Sequence, residues 1–263
     1  MDLKQICFDA IEIIKTTGKY ISGEIASFDK KKVESKGRHD FVSFVDKTAE
    51  KQLISGLSKL VPDAGFIAEE QTVAQTDAQF KWVIDPLDGT TNFIHGLMPF
   101  AISVALMDGP EVVIGIVYEI SRDEAFYSWK NDKAYLNGNE IQVTNAQFVR
   151  DSLIATGFPY YDYDRLPQFM KTLDFFMQNS HGLRRLGSAA TDLAYVACGR
   201  FDAFYEYSLS PWDVAAGAFI VQQAGGKVSD FSGGKNYIFG KEIIATNSNI
   251  FDEFLASVKN IME

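Results

Sequence analysis

The chain has 263 residues, of which 46% are hydrophobic, 13% aromatic and 23% charged, with a formal net charge of −10. This composition is globular and excludes a disordered, collagenous or low-complexity chain; its length is enough to bury roughly 70–75% of the unfolded surface without a disulfide or metal staple. The acidic balance argues against a nucleic-acid surface, which needs clustered positive charge, although divalent cations can reverse the sign of a pocket locally.

Ile6, Ala10, Ile13, Ile14, Ile21 and Ile25 recur at helical spacing and predict an amphipathic helix over the first ~27 residues, weakened at Gly18. Acids and lysines interrupt this apolar pattern, so it is neither a signal peptide nor a membrane span. No later window is apolar enough to cross a bilayer. The expectation is a soluble, cytoplasmic protein in which Cys7 and Cys198 are reduced core thiols. Residues 33–44, with Lys36 and His39, read as a loop or short extended piece. Asp46 opens a second helix striped by Leu53, Ile54, Leu57 and Leu60 and ended by Pro62-Asp63. Gly65-Phe66-Ile67-Ala68 reads as a buried strand running into Glu69-Glu70, and residues 71–79 as a polar surface loop.

From Lys81 the pattern changes to strands. Trp82-Val83-Ile84 runs into Asp85, and residues 101–107, 112–119 and 124–129 predict an antiparallel meander. Asn137-Gly138 is a type I′ hairpin signal between residues 134–136 and 140–143. The second half alternates between strands (153–156, 203–207, 227–229, 243–245) and helices (166–179, 189–198, 214–224, 250–261). A soft boundary near residues 144–152 separates an α+β half, 1–147, from a tightly packed α/β half, 148–263.

The most informative run is Trp82-Val83-Ile84-Asp85-Pro86-Leu87-Asp88-Gly89-Thr90-Thr91-Asn92-Phe93. An apolar strand ends in a carboxylate, a Pro turn follows, then a second carboxylate and a Gly-Thr step. Two acids at a buried strand end are costly unless something positive lies between them. A hard divalent cation such as Mg²⁺, which takes oxygen ligands, explains the pair economically. Taken alone, Glu69-Glu70 reads as a solvated loop edge, Asp213 and Asp46 as helix-start residues, and Glu206 as an exposed strand end. His39, His95 and His181 lack metal-ligand spacing.

Together these pieces resemble the inositol monophosphatase family, within the wider lithium-sensitive, Mg²⁺-dependent sugar phosphatase superfamily. The matching segments are Asp40, Val42-Ser43 and Asp46; Phe66-Ile67-Ala68-Glu69-Glu70; Trp82 to Phe93; Leu186-Gly187-Ser188-Ala189-Ala190; and Glu206 with Trp212-Asp213-Val214-Ala215-Ala216-Gly217. They stand in the family order across nearly the entire chain. The resemblance implies a layered αβαβα sandwich acting as a cytoplasmic homodimer on a small phosphate monoester. It implies two to three Mg²⁺ ions: Glu69, Asp85 and the Leu87 carbonyl on the first, Asp85, Asp88 and Asp213 on the second, and Glu69 facing a looser third. Two-metal sites clamp phosphate, lower the pKa of a bound water and stabilise the leaving alkoxide. By the same resemblance Thr90 orients the attacking water and Asp46 accepts from the Thr90 hydroxyl, while Glu69, Thr90 and Asp46 form the catalytic set. The amides of Gly89 and Thr90 receive phosphate oxygens, and Asp88, Gly187, Ser188, Ala189, Glu206 and Asp213 line the substrate site. Lys36 resembles a loop lysine near the mobile metal site.

The resemblance favours myo-inositol 1-phosphate as substrate. The alternatives are a sibling phosphatase acting on fructose 1,6-bisphosphate, histidinol phosphate, NADP⁺ or a nucleotide 3′-phosphate, or a regulatory protein-binding role. Thr91-Asn92 stands where the nucleotide-phosphatase branch usually has Lys-Glu, and Glu206 suits a polyol, since a carboxylate accepts from adjacent hydroxyls. Phe158, Tyr160 and Tyr161 border either the substrate mouth or a subunit interface.

Overall fold

The computed structural model describes residues 1–25, 34–35, 41–42, 44–73, 77–160 and 162–263. The expectations for Lys36, His39, Asp40, Ser43 and Tyr161 lie outside the described residues. Helix α1 (Leu3–Ile25) is followed by a short antiparallel pair, β1 (Glu34–Ser35) and β2 (Phe41–Val42), and by α2 (Phe44–Leu60). A seven-stranded sheet then forms in chain order from β3 (Gly65–Ala68), β4 (Phe80–Asp88), β5 (Ala101–Asp108), β6 (Glu111–Glu119), β7 (Glu124–Trp129), β8 (Ala134–Leu136) and β9 (Asn139–Ile141). Only the β3–β4 pair is parallel in this sheet; the rest is the expected antiparallel meander. The short helix α3 (Thr90–His95) joins β4 to β5.

The second sheet contains β10 (Leu153–Thr156), β11 (Gly182–Arg184), β12 (Ala203–Tyr207), β13 (Lys227–Ser229) and β14 (Glu242–Thr246), in the spatial order β11-β10-β12-β14-β13. Helices α4 (Leu166–Asn179), α5 (Ala189–Ala197), α6 (Pro211–Gln223) and α7 (Phe251–Met262) accompany it. Among the described residues no helix is long and apolar enough to cross a membrane.

Strand alternation sorts the core into three slabs and yields the five layers. Side chains of successive strand residues point to opposite faces. Trp82 and Ile84 therefore pack with Cys7, Ile14 and Leu53 of α1 and α2, while Val83 packs with Leu193 and Ala216 of α5 and α6. In the second sheet Phe204, Ile243 and Ala245 face the same central helices. Tyr205 and Ile244 face Phe176 of α4 and Phe254 of α7 on the outside. All nine residues of α5 are buried, as befits a helix enclosed between two sheets. Helix α6 lies so close to β6 that a Cβ at Gly115 would come within 2.7 Å of the Ala216 carbonyl oxygen.

The structure changes several sequence expectations. Strand β4 does not end at Asp85; it runs to Asp88 through a register shift between Asp85 and Asp88 that absorbs Pro86. Helix α6 starts at Pro211, three residues before the expected start, because Ser210 caps it and proline suits its first turn. Strand β11, three half-buried or exposed residues at a sheet edge, has too little apolar pattern to be read from sequence. The hairpin signal is met: Leu136 pairs with Asn139 across Asn137 and Gly138, both at positive φ. Cys7 is buried on α1, whereas Cys198, just past α5, is only partly so.

Candidate metal centre and active site

The register shift in β4 is what assembles the centre. Asp85 shares the parity of Val83 and so faces the central helices. In a regular strand a residue three further on would face the opposite way. The extra residue turns Leu87 into the α1/α2 core and brings Asp88 back beside Asp85. Asp213 arrives from the first turn of α6, where its Oδ2 accepts from the Ser210 amide at 2.6 Å in a capping box. One carboxylate oxygen from each of Asp85, Asp88 and Asp213 lies within 4.8 Å of the others.

Each acid is held by named groups. Asp85 Oδ1 accepts from the Leu87 amide at 2.9 Å. Asp88 Oδ2 accepts from the Ser188 hydroxyl and the Ala190 amide, both at 2.7 Å, at the start of α5. Ser188 also caps α5 through the Thr191 amide. Glu69, at the end of β3, lies against Asp85, and its own amide donates to the Ile84 carbonyl at 3.2 Å. Burial drives the Asp85 carboxyl well above the ordinary range, reinforced by the charges of Glu69, Asp88 and Asp213. Burial pushes Asp213 up to about 7, with the Asp88 charge adding to it. Asp88 rises to about 6, because hydrogen bonds from Ser188 and Ala190 partly offset its burial. A site that holds three such acids together is completed by positive charge, and an all-oxygen donor set suits a hard divalent cation.

These acids open onto a cavity of about 340 Å³. Among the described residues the lining carboxylates are Glu69, Asp85, Asp88, Asp192, Glu206 and Asp213, against one cationic side chain, Arg185. A phosphate would meet strong repulsion there unless cations were bound. Leu87, Gly89, Thr90, Gly187, Ser188 and Ala189 line the same cavity; Glu70 is absent from its wall. Asp46 is also absent from it, but is 1% exposed and its Oδ1 accepts from the Thr90 hydroxyl at 3.1 Å. That hydroxyl also lies 2.9 Å from the Leu87 carbonyl oxygen. Gly89 precedes α3 in the left-handed region, φ 92°, without a side-chain cap.

One residue differs from the solvated position that its local sequence suggests. Glu206 is buried, not an exposed strand end, because it shares the parity of Phe204 and faces the middle layer. Asp46 stands in the first turn of α2, as its local sequence suggests, and also accepts from the Thr90 hydroxyl. Of the histidines, His95 and His181 are exposed, with no part in the cavity wall. Tyr160 lines the cavity, and the Arg185 guanidinium lies over the rings of Phe158 and Tyr160.

Sequence reasoning missed Glu50, Ser103, Arg185 and Asp192. Glu50, fully buried in α2, accepts from the Glu70 and Thr72 amides at 2.7 and 2.8 Å and fixes the chain after Glu69. A signal did exist for Asp192: it is the one ionisable acid in the otherwise uncharged helix Ala-Ala-Thr-Asp-Leu-Ala-Tyr-Val-Ala.

The chain is similar to known proteins over nearly its whole length. The model of the inositol monophosphatase family matches residues 2–263. An inositol-1-monophosphatase of Mesorhizobium japonicum is 38% identical over 250 residues, covering 95% of this chain and 94% of that protein. The Nus factor SuhB of Escherichia coli K12 is 38% identical over 252 residues, covering 95% and 94%. The crystal structure of the extragenic suppressor protein suhB from Bartonella henselae superimposes with a TM-score of 0.89 at 36% identity, covering 95% of this chain and 96% of that one. The chain belongs to the inositol monophosphatase family, whose members are metal-dependent phosphoric monoester hydrolases.

Proposed function

We propose that this protein hydrolyses the phosphate monoester of a small polyhydroxylated alcohol, with myo-inositol 1-phosphate as its best substrate, and that Mg²⁺ is its cofactor. The observation that carries this reading is the convergence of Asp85, Asp88 and Asp213 within 4.8 Å beside a Thr90 hydroxyl already paired with Asp46. Glu69, Asp85 and the Leu87 carbonyl would hold one ion, and Asp85, Asp88 and Asp213 a second, with Glu69 facing a third. When bound, the cations supply the positive charge that a phosphate needs in this acidic cavity and make water more acidic.

The chain's own groups then do the positioning. Thr90 gives its proton to Asp46, and its oxygen accepts from water, so the pair orients the nucleophile and draws off a proton. The Gly89 and Thr90 amides, uncapped at the start of α3, offer donors to phosphate oxygens. Glu206 accepts from hydroxyls of the alcohol, and Gly187, Ser188 and Ala189 form the wall beside it. Ser188 acts from behind Asp88, since its hydroxyl lies 2.7 Å from both Asp88 Oδ2 and Thr191 Oγ1.

The test is phosphate release from myo-inositol 1-phosphate, fructose 1,6-bisphosphate, histidinol phosphate, NADP⁺ and a nucleotide 3′-phosphate, with and without Mg²⁺, alongside Asp85→Asn. Mg²⁺-dependent release with the highest kcat/KM on the inositol ester, lost in the variant, supports the reading. Preference for another ester discards the inositol assignment and keeps the centre. No release from any ester by folded protein discards the reading.

A second reading rests on the relatives named Nus factor SuhB: a partner-binding role, carried by the dimer that the family resemblance implies. A partner retained by Asp85→Asn as well as by the parent protein would support it.

A further inference from the structure

Two acids on the cavity wall lie outside the cluster around Asp85: Glu206 and Asp192. Asp192 is 1% exposed, and its Oδ1 is buried without a hydrogen-bond partner. Its place in the first turn of α5 does not account for a carboxyl there. The amides of that turn are already committed: Ala190 donates to Asp88, Thr191 to the Ser188 hydroxyl, and Asp192 itself to the Ser188 carbonyl. The charged groups that face it are Glu206, Asp88 and Arg185. Arg185 has a complementary gap, since its Nε is also buried without a partner. The other end of its guanidinium donates to the Tyr160 hydroxyl and stacks 5.3 Å from the Phe158 ring centre and 5.8 Å from that of Tyr160. The aromatic pair thus holds Arg185 in place. Among the described residues no carboxylate lies within ion-pair distance of it.

An unpartnered acceptor and an unpartnered donor on the wall of one cavity are the complement of a molecule rich in hydroxyls, each of which both donates and accepts. We propose that Asp192 is a specificity-determining residue that accepts hydrogen bonds from hydroxyls of the leaving alcohol, with Arg185 Nε donating to the same alcohol. This rests on the phosphatase reading above and extends it to two residues that the metal centre does not use. A site built to bond a hydroxyl discriminates against an alcohol that lacks one, because its buried polar groups then stay unpaired. An aryl ester without hydroxyls gains nothing from Asp192, whereas a polyol ester does.

The experiment compares kcat and KM on myo-inositol 1-phosphate and on 4-nitrophenyl phosphate, at saturating Mg²⁺, for the parent protein, Asp192→Asn and Arg185→Gln. Asp192→Asn is expected to lower kcat/KM on the inositol ester about tenfold, through KM, and to leave the aryl ester within about twofold. Arg185→Gln is expected to split the esters the same way and serves if Asp192→Asn fails to fold. Equal losses on both esters, or none on either, would overturn the proposal while leaving the phosphatase reading intact. Inactivity of the parent protein on both esters would overturn the two together.

Discussion

Ser103 and Trp212, 109 residues apart, are joined by a hydrogen bond in which the Ser103 hydroxyl donates to the Trp212 carbonyl over 2.9 Å. Ser103 is the register partner of Asp85 on β5, and Trp212 immediately precedes Asp213. One bond therefore fixes the start of α6 against β5, the strand paired with the one that carries Asp85. Ser103→Ala should cost about 1 kcal/mol of stability, the net worth of such a bond. It should also raise the Mg²⁺ concentration for half-maximal phosphate release, because Asp213 is no longer held to the sheet. Urea denaturation and a Mg²⁺ titration of activity check the two effects. A stability loss with an unchanged titration would show that the bond serves the fold alone.

The Thr90–Asp46 pair acts as a unit if it orients water. Thr90→Ala and Asp46→Asn should each lower kcat by about 10²–10⁴, the usual worth of positioned acid–base groups. The double variant should lose little more than the worse single variant, since either change breaks the same relay. Steady-state kinetics on the three variants decide this; fully additive losses would separate the two roles.

The raised carboxyls make stability depend on pH in a stated direction. An unfolded aspartate titrates near 3.9, roughly, whereas Asp88 and Asp213 in the fold titrate at about 6 and about 7. Above pH 4, roughly, the folded state holds protons that the unfolded state has lost, so the metal-free fold loses stability as pH rises towards 7. Its Tm should fall between pH 5 and pH 8, roughly, and fall less in Asp213→Asn. Mg²⁺ should raise Tm far more at the upper pH, where it has fewer protons to displace. Thermal melts at the two pH values with and without Mg²⁺ measure this. A metal-free Tm that rises with pH as steeply in the variant as in the parent would contradict it.

Gly18 tests the outer layer. Replacing a mid-helix glycine by alanine ordinarily stabilises by about 0.5–1 kcal/mol. Here a Cβ would overlap the ring of Tyr118 on β6, a buried ring tethered through its hydroxyl to Asp123 Oδ1 at 2.8 Å. Gly18→Ala should therefore destabilise, by about 1–3 kcal/mol, as overpacking does. A higher Tm for this variant would mean that α1 can lift off the sheet without cost.

Local patterns determined much of this protein. The isoleucine period of α1, the alternation in β5 to β7, the Asn137-Gly138 turn and the α4 limits all follow from periodicity and turn chemistry, which act over a few residues. So does the pairing of Asp85 with Asp88 as a costly acid pair. The wider acid set was legible only through a family resemblance; the whole-chain match bears out the family. Tertiary structure decided the rest. The shift in β4 that turns Asp85 and Asp88 to one side depends on pairing with β5. The burial of Glu206 depends on which face of the second sheet meets α5. The link from Ser103 to α6 and the hold of Ser188 on Asp88 join segments about a hundred residues apart. No local period encodes such meetings, because they are set by register and by how the two sheets close on the helices between them.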